Sequence, residues 1–158
     1  MKREDMRRKS AIFLAVLAPL LLVACSGEKQ QVKNLVTTYN RVLVDAYLKP
    51  KPNLMENFTS PREFIQIDTY ISYLYKTNRI LKCDLKKIDF EDVKIKGDTA
   101  VAVTRERWVY VYLDPVNRKP VSEEYDVISA NKYSLVKEKG RWVVDELDSR
   151  EIGGKREG

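Results

Sequence analysis

Histidine is absent from all 158 residues of the chain. That removes the commonest metal ligand and the side chain most often used for proton transfer near neutral pH. Cysteine is scarce too: Cys25 and Cys83 are the two present, too few for a disulfide scaffold. No spacing of Cys or clustered carboxylates suits a metal. There is no nucleophile elbow, phosphate loop or dinucleotide fingerprint, and no internal repeat or low-complexity tract. The sequence thus implies no cofactor and no metal, and it offers no catalytic motif. Long apolar runs are equally rare, the one example being Ala11 to Ala24.

What is there begins with that run. It follows a basic start containing Lys2, Arg3, Arg7, Arg8 and Lys9. At about 1.5 Å per helical residue it spans roughly 21 Å, short of the roughly 30 Å hydrocarbon core, so a cleaved signal fits better than a membrane anchor. Its end, Leu22-Val23-Ala24-Cys25, resembles the bacterial lipobox. The resemblance implies lipidation at Cys25: diacylglycerol on the thiol, cleavage before it, and a further acyl chain such as palmitate on the new amino terminus. The expected location is the cell envelope, as a membrane-anchored lipoprotein. Ser26 rather than Asp follows the cysteine, a pattern that resembles outer-membrane sorting to the periplasmic side in diderm bacteria.

Beyond residue 24 there is enough chain for one compact domain. It carries 24 basic and 21 acidic residues, about +3, which gives no argument for nucleic acid. Lys86, Lys87, Lys94 and Lys96 admit two readings, a patch facing lipid headgroups or the wet side of a strand, and the second is the commoner arrangement. Cys83, between Leu81 and Leu85 on one strand parity, reads as a small buried hydrophobe.

Residues 25–31 read as a tether. Val32, Leu35, Val36, Tyr39, Leu43, Ala46 and Tyr47 then follow helical spacing, predicting a helix to about Leu48 that the prolines at 50 and 52 stop. Leu54, Met55 and Phe58 form a short plug. Ser60-Pro61-Arg62-Glu63 has the pattern of a capping box, with Ser60 accepting from the Glu63 amide and the Glu63 carboxylate reaching back. Phe64, Ile67, Ile71, Leu74 and Tyr75 make the stripe of a second helix.

After Ile80 the period becomes two. Leu81, Cys83 and Leu85 share one parity, Ile88 and Phe90 the other, and Val93 and Ile95 return to the first, so the strand must bulge or bend. A turn at Gly97 leads to a long partner strand from Val101 to Leu113, interrupted by Arg105-Glu106-Arg107. That triplet suggests a sheet edge, a bulge or a paired polar patch. A third strand is expected over about Ser122 to Glu138, and a fourth over Arg141 to Leu147, with Trp142 and Val144 on one face and Val143 and Leu147 on the other. Residues 150–158 read as a flexible tail.

The order helix, plug, capped helix and long antiparallel strands, closing on Tyr133-Ser134-Leu135-Val136-Lys137-Glu138-Lys139-Gly140-Arg141-Trp142-Val143-Val144-Asp145, resembles the nuclear-transport-factor-2-like superfamily. Gly97-Asp98-Thr99-Ala100-Val101-Ala102-Val103 is similar to another recurrent hairpin of the group. The resemblance covers about Gln30 to Leu147, and the domain is placed at residues 32–149. It implies an α+β fold: N-terminal helices packed on a strongly curved antiparallel sheet of about four strands, forming a cone. Members include enzymes and silent docking modules. The cyclase and dehydratase branch generally depends on a histidine, absent here. An isomerase-type site would need a carboxylate base and a tyrosine donor in an apolar cavity. The accessible carboxylates are Asp68, Glu106, Asp126 and Asp145, with Tyr110 or Tyr133 as donor.

Trp108, Tyr110 and Tyr133 are candidates for a pocket or interface, although a strand face packed on Tyr39 and Tyr47 is the simpler account of Trp108 and Tyr110. The expected function is a lipid-anchored, non-catalytic binding or docking module for another envelope protein. Two alternatives remain: a receptor for an apolar small molecule in the cone, and an isomerase-type enzyme. The expected partners are the membrane, through the N-terminal lipid, and an envelope protein; a homodimer through the sheet face is left open.

Overall fold

A computed structural model of the chain describes residues 27–156. Cys25 and the leader before it lie outside the described residues. Helix α1 is already formed at residue 27 and runs to 48. Val32, Val36, Tyr39, Leu43 and Ala46 are buried along one face, as the helical spacing requires. Residues 27–31 therefore continue the helix instead of forming a tether. The cause is partly local and partly tertiary: Lys29, Gln30 and Gln31 are good helix formers, Gln30 Nε2 donates to Asn34 Oδ1 one turn on, and Glu28 is paired with the distant Lys137.

A short 3-10 turn, Pro52–Met55, buries Met55 and leads to helix α2, Pro61–Lys76. Ser60 caps α2 by accepting from the Glu63 amide, and Pro61 occupies the first turn. Only half of the capping box forms. The Ser60 N–H donates to Val144 O, 2.8 Å, and the Val144 N–H donates to Phe58 O, 2.9 Å. With the cap amide already satisfied, the Glu63 carboxylate turns into the molecule. Tyr75, expected in the buried stripe, is 59% exposed; Ile67, Ile71 and Leu74 carry the packing.

Four strands form one antiparallel meander in the order β1-β2-β3-β4: β1 Ile80–Lys96, β2 Thr99–Leu113, β3 Tyr125–Glu138 and β4 Arg141–Arg156. The sheet is open, since β1 and β4 do not pair. The parity switches in β1 are two register shifts against β2, between Leu85 and Lys87 and between Phe90 and Asp92. One extra residue at each lets Leu85, Ile88, Phe90, Val93 and Ile95 all pack on the helix side. A third shift, between Ser134 and Leu135 of β3, brings Leu147 into the same core as Trp142 and Val144, opposite to the face that simple alternation assigns it. β2 is an interior strand, so Arg105-Glu106-Arg107 marks no edge. Arg105 and Arg107 point outward to Glu91 and Asp126, and Glu106 points in.

The outer face of β1 is charge-balanced: Lys86, Lys87 and Lys94 are paired with Asp84, Asp89 and Asp92. These lysines are the wet side of a strand. Cys83 is buried as expected, and burial, with the Asp84 charge adding to it, pushes its thiol up to about 12. The β3–β4 hairpin turns at Lys139 and Gly140, with φ of 50° and 79°, the two positive values of the turn type that matches strand twist.

The tail does not fray at 150, because residues 150–156 pair with β3 back from Ala130 to Tyr125. Gly154 permits this, with φ +150°; a Cβ there would stand 2.2 Å from Asp126 O, an impossible approach. Gly154→Ala should therefore detach the end of β4, raising amide hydrogen exchange at residues 125–128 and 153–156 at least about tenfold and costing about 1–3 kcal/mol. Gly153→Ala is the control, since its Cβ meets only the Ile128 side chain at 3.9 Å; equal effects of the two would contradict the close-approach argument.

Candidate functional site

The interior polar groups of the cone lie where the two helices meet the inner face of β2 and β3. On β2, Thr104, Glu106 and Trp108 occupy alternate positions and so share a face. Glu106 is 1% exposed. Its Oε1 accepts from Thr104 Oγ1 at 2.7 Å, from Tyr133 Oη at 2.7 Å and from Asn40 Nδ2 at 3.3 Å. Its Oε2 accepts from the Trp108 indole Nε1 at 2.8 Å. Asn40 Nδ2 also donates to Tyr133 Oη, at 3.0 Å. Four donors from α1, β2 and β3 thus surround one carboxylate. Burial first, then the Glu106 charge, holds the Tyr133 hydroxyl well above the ordinary tyrosine value, so it remains a donor.

A second carboxylate lies nearby. Glu63 accepts from Tyr39 Oη at 2.6 Å and from the Leu147 amide at 3.2 Å. The rings of Tyr39 and Tyr133 meet edge to face, with centroids 5.9 Å apart. Two tyrosine–carboxylate pairs therefore stand back to back. Burial raises the Glu63 carboxyl above its ordinary value, and its two hydrogen bonds partly oppose that rise.

Next to the Glu106 network is a chamber of about 180 Å³, whose walls include Tyr47, Trp108, Tyr110, Ser129, Asn131 and Tyr133. A wider vestibule of about 400 Å³ contains Arg62, Glu63, Gln66 and Glu146 and shares Tyr47, Leu147 and Ser149 with the chamber. The structure thus brings Trp108, Tyr110 and Tyr133 together on one wall. Trp108 stacks on Tyr110 at 5.9 Å, and both pack in a cluster that includes Tyr47.

The other expected carboxylates are elsewhere. Asp126 is held outside by Arg107 at 3.0 Å. Asp145 accepts from Ser60 Oγ at 2.7 Å, and Asp68 lines a separate cleft. Among the described residues no group of His, Cys, Asp or Glu is arranged to hold a metal.

Sequence reasoning missed Asn40, Thr104 and the inward role of Glu63. Asn40 and Thr104 carried a signal. Asn40 falls four residues after Val36 on the buried stripe, and Thr104 lies on the inner parity of β2; a polar residue at an apolar position demands a buried partner. The carboxylate of Glu63 was assigned to the cap, and only the tertiary bond from Ser60 N–H to Val144 frees it.

The chemical capacity is narrow. An isomerase-type base must present a carboxylate to substrate beside a free oxyanion donor. Here the Tyr133 proton is committed to Glu106, and Glu106 is committed to four protein donors. The Glu63 pair predicts a pH dependence. A carboxyl raised on folding stabilises the protein most below the ordinary value of 4.5, and that contribution is lost as pH rises through the raised folded value. Urea unfolding of the wild type and Glu63→Gln should show a difference that shifts against the wild type as pH climbs from 4 toward 7. A difference independent of pH would contradict the assignment.

Compared with known proteins, the sequence matches no family profile and no curated protein. Solved structures are similar in fold. The intermembrane-space region of the chloroplast protein ARC6 superposes with a TM-score of 0.67 at 12% identity, covering 77% of this chain and 95% of that one. An uncharacterised protein with a cystatin-like fold from Caulobacter vibrioides gives a TM-score of 0.50 at 12% identity, covering 77% of this chain and 89% of that one. Two helices packed on an open, four-stranded antiparallel sheet thus make the cystatin-like, nuclear-transport-factor-2-like fold.

Proposed function

We propose that the protein is a lipid-anchored module of the bacterial envelope that works by binding another envelope protein. The observation that carries this reading is the saturation of Glu106 by four protein donors. Of the two interior carboxylates, Glu106 is consumed in holding α1 to the sheet, and Glu63 is engaged by Tyr39 and the Leu147 amide. The chamber beside Glu106 is small, about 180 Å³, where ligand sites usually run to about 300–1,000 Å³. The adjoining vestibule of about 400 Å³ is lined by the charged Arg62, Glu63 and Glu146, which do not suit an apolar ligand. Binding is left to the outside of the cone.

Two further observations support the reading. The fold is similar to that of a chloroplast protein's intermembrane-space region, a domain that lies between membranes. The lipobox-like Leu22-Val23-Ala24-Cys25 supplies localisation by acylation, at about 0.8 kcal/mol per buried methylene, and so frees the folded domain to act as a docking surface.

The test is photo-crosslinking in the native envelope, with the reactive residue placed at Val116, which is 90% exposed. The expected result is a discrete crosslinked protein that disappears in Cys25→Ser, whose precursor stays unprocessed or whose domain leaves the membrane fraction. No crosslinked protein from the membrane-bound form, together with a co-purified small molecule, would overturn the reading.

A further inference from the structure

At the end of α1 remote from residue 27, the chain builds a cleft of about 500 Å³ whose walls include Pro50, Asp68, Tyr75, Lys76, Pro115 and Arg118. It is separate from the cone interior and has a distinct chemistry. Tyr75 is 59% exposed although it lies on the helix that packs the core, and with the prolines it makes a flat apolar shelf. The basic groups are available. Lys49, also on the wall, is paired with Asp45 at 2.9 Å, but Lys76 and Arg118 have no carboxylate partner among the described residues.

Arg118 is held in place. The Asp114 carboxylate accepts from the amides of Val116 and Asn117 at 2.8 and 2.9 Å, Asn117 Oδ1 accepts from the Lys119 amide at 2.8 Å, and the Arg118 backbone sits at φ 61°. That folded loop aims the guanidinium back across the cleft, where Nη1 donates to Leu48 O at 2.7 Å. The remaining guanidinium donors stay free for a carboxylate, the geometry in which Arg forms its strongest pairs.

The cleft also faces the right way. α1 spans residues 27–48, so at about 1.5 Å per residue its far end stands about 32 Å from residue 27. A lipid on Cys25, two residues before the first described one, would put the cleft on the pole away from the bilayer. That position favours a protein partner over lipid headgroups.

We infer that this cleft is the docking surface, and that its occupant is an extended segment of a partner protein that sets acidic side chains against Lys76 and Arg118 and apolar ones against the Tyr75 shelf. The inference rests on the binding reading above and adds the partner's chemistry. Asp68, on the same wall, selects against a uniformly acidic segment and favours one in which acidic and apolar residues alternate.

The probe is a fluorescent ten-residue peptide alternating Glu with Pro and Leu, beside the same peptide with Lys in place of Glu, titrated by anisotropy against the full-length lipidated protein in detergent. Saturable binding of the acidic peptide alone is expected. Lys76→Glu and Arg118→Glu should each weaken it at least about tenfold. So should Tyr75→Ala, which alters an exposed side chain and leaves the fold intact. Lys82→Glu, on the outer face of β1, should change it less than about twofold. Equal binding of the Lys peptide, equal loss in Lys82→Glu, or binding only to phosphatidylglycerol vesicles would overturn the inference.

Crosslinkers at positions 75 and 132 in the envelope separate the two claims. Adducts from position 75 that Arg118→Glu abolishes support the cleft. Adducts from position 132 alone sink the cleft and keep the docking reading, and none from either position sinks both.

Discussion

A carboxylate cannot be taken out of water without replacing the hydrogen bonds that water gave it, and Glu106 is 1% exposed. Thr104, Trp108, Tyr133 and Asn40 make that replacement. Orphaning a buried group of this kind costs about 1–3 kcal/mol, more where charge is involved, against a total stability of only about 5–15 kcal/mol for a domain. The network therefore dictates geometry. It fixes the inner parity of β2, the position of Tyr133 on β3 and the rotation of α1 about its axis, since only one face of that helix presents Asn40. The Tyr39–Glu63 pair, packed against Tyr133, extends the same constraint to α2.

Function follows from what is left over. Glu106, Asn40, Thr104, Trp108 and Tyr133 are committed to one another, and on the proposed reading the cone serves as a scaffold. Its outside is divided by charge and position. The outer face of β1 alternates paired lysines and aspartates and offers little net field. The far pole combines the exposed Tyr75 with Lys76 and Arg118, which have no carboxylate partner among the described residues. The anchor expected at Cys25 and the cleft at the other end of α1 would give a tethered module a membrane side and a partner side, with the helix as the spacer between them.

Much of the fold was legible because it rests on local rules. Helical spacing found the face of α1, Ser60-Pro61 marked the start of α2, and the parity switches of β1 foretold bulges later seen as register shifts at Lys86 and Glu91. Most of the misses come from tertiary pairing that local rules do not contain. Residues 150–156 look polar and unstructured alone, and a sheet ladder orders them; residues 27–31 extend α1 with help from the pairing of Glu28 with Lys137 on β3. The Glu63 carboxylate left the cap because Val144 took the amide that it would have bonded. At the candidate site, Trp108, Tyr110 and Tyr133, singled out from their strands, line one chamber. Glu106 was one carboxylate among four; the β2–β3 register sets it opposite Ser129, and the long Tyr133 side chain, from opposite Ala102, reaches along the inner face to place its hydroxyl 2.7 Å away.

The most direct test of the central claim is a double-mutant cycle on the free energy of unfolding, with Glu106→Gln and Tyr133→Phe made singly and together. A structural network predicts that both single changes destabilise and that they are coupled by about 1 kcal/mol or more. Full stability in Glu106→Gln, or effects that add to within about 0.5 kcal/mol, would mean that Glu106 is not holding the cone together, and the argument that its carboxylate is unavailable for chemistry would fall with it.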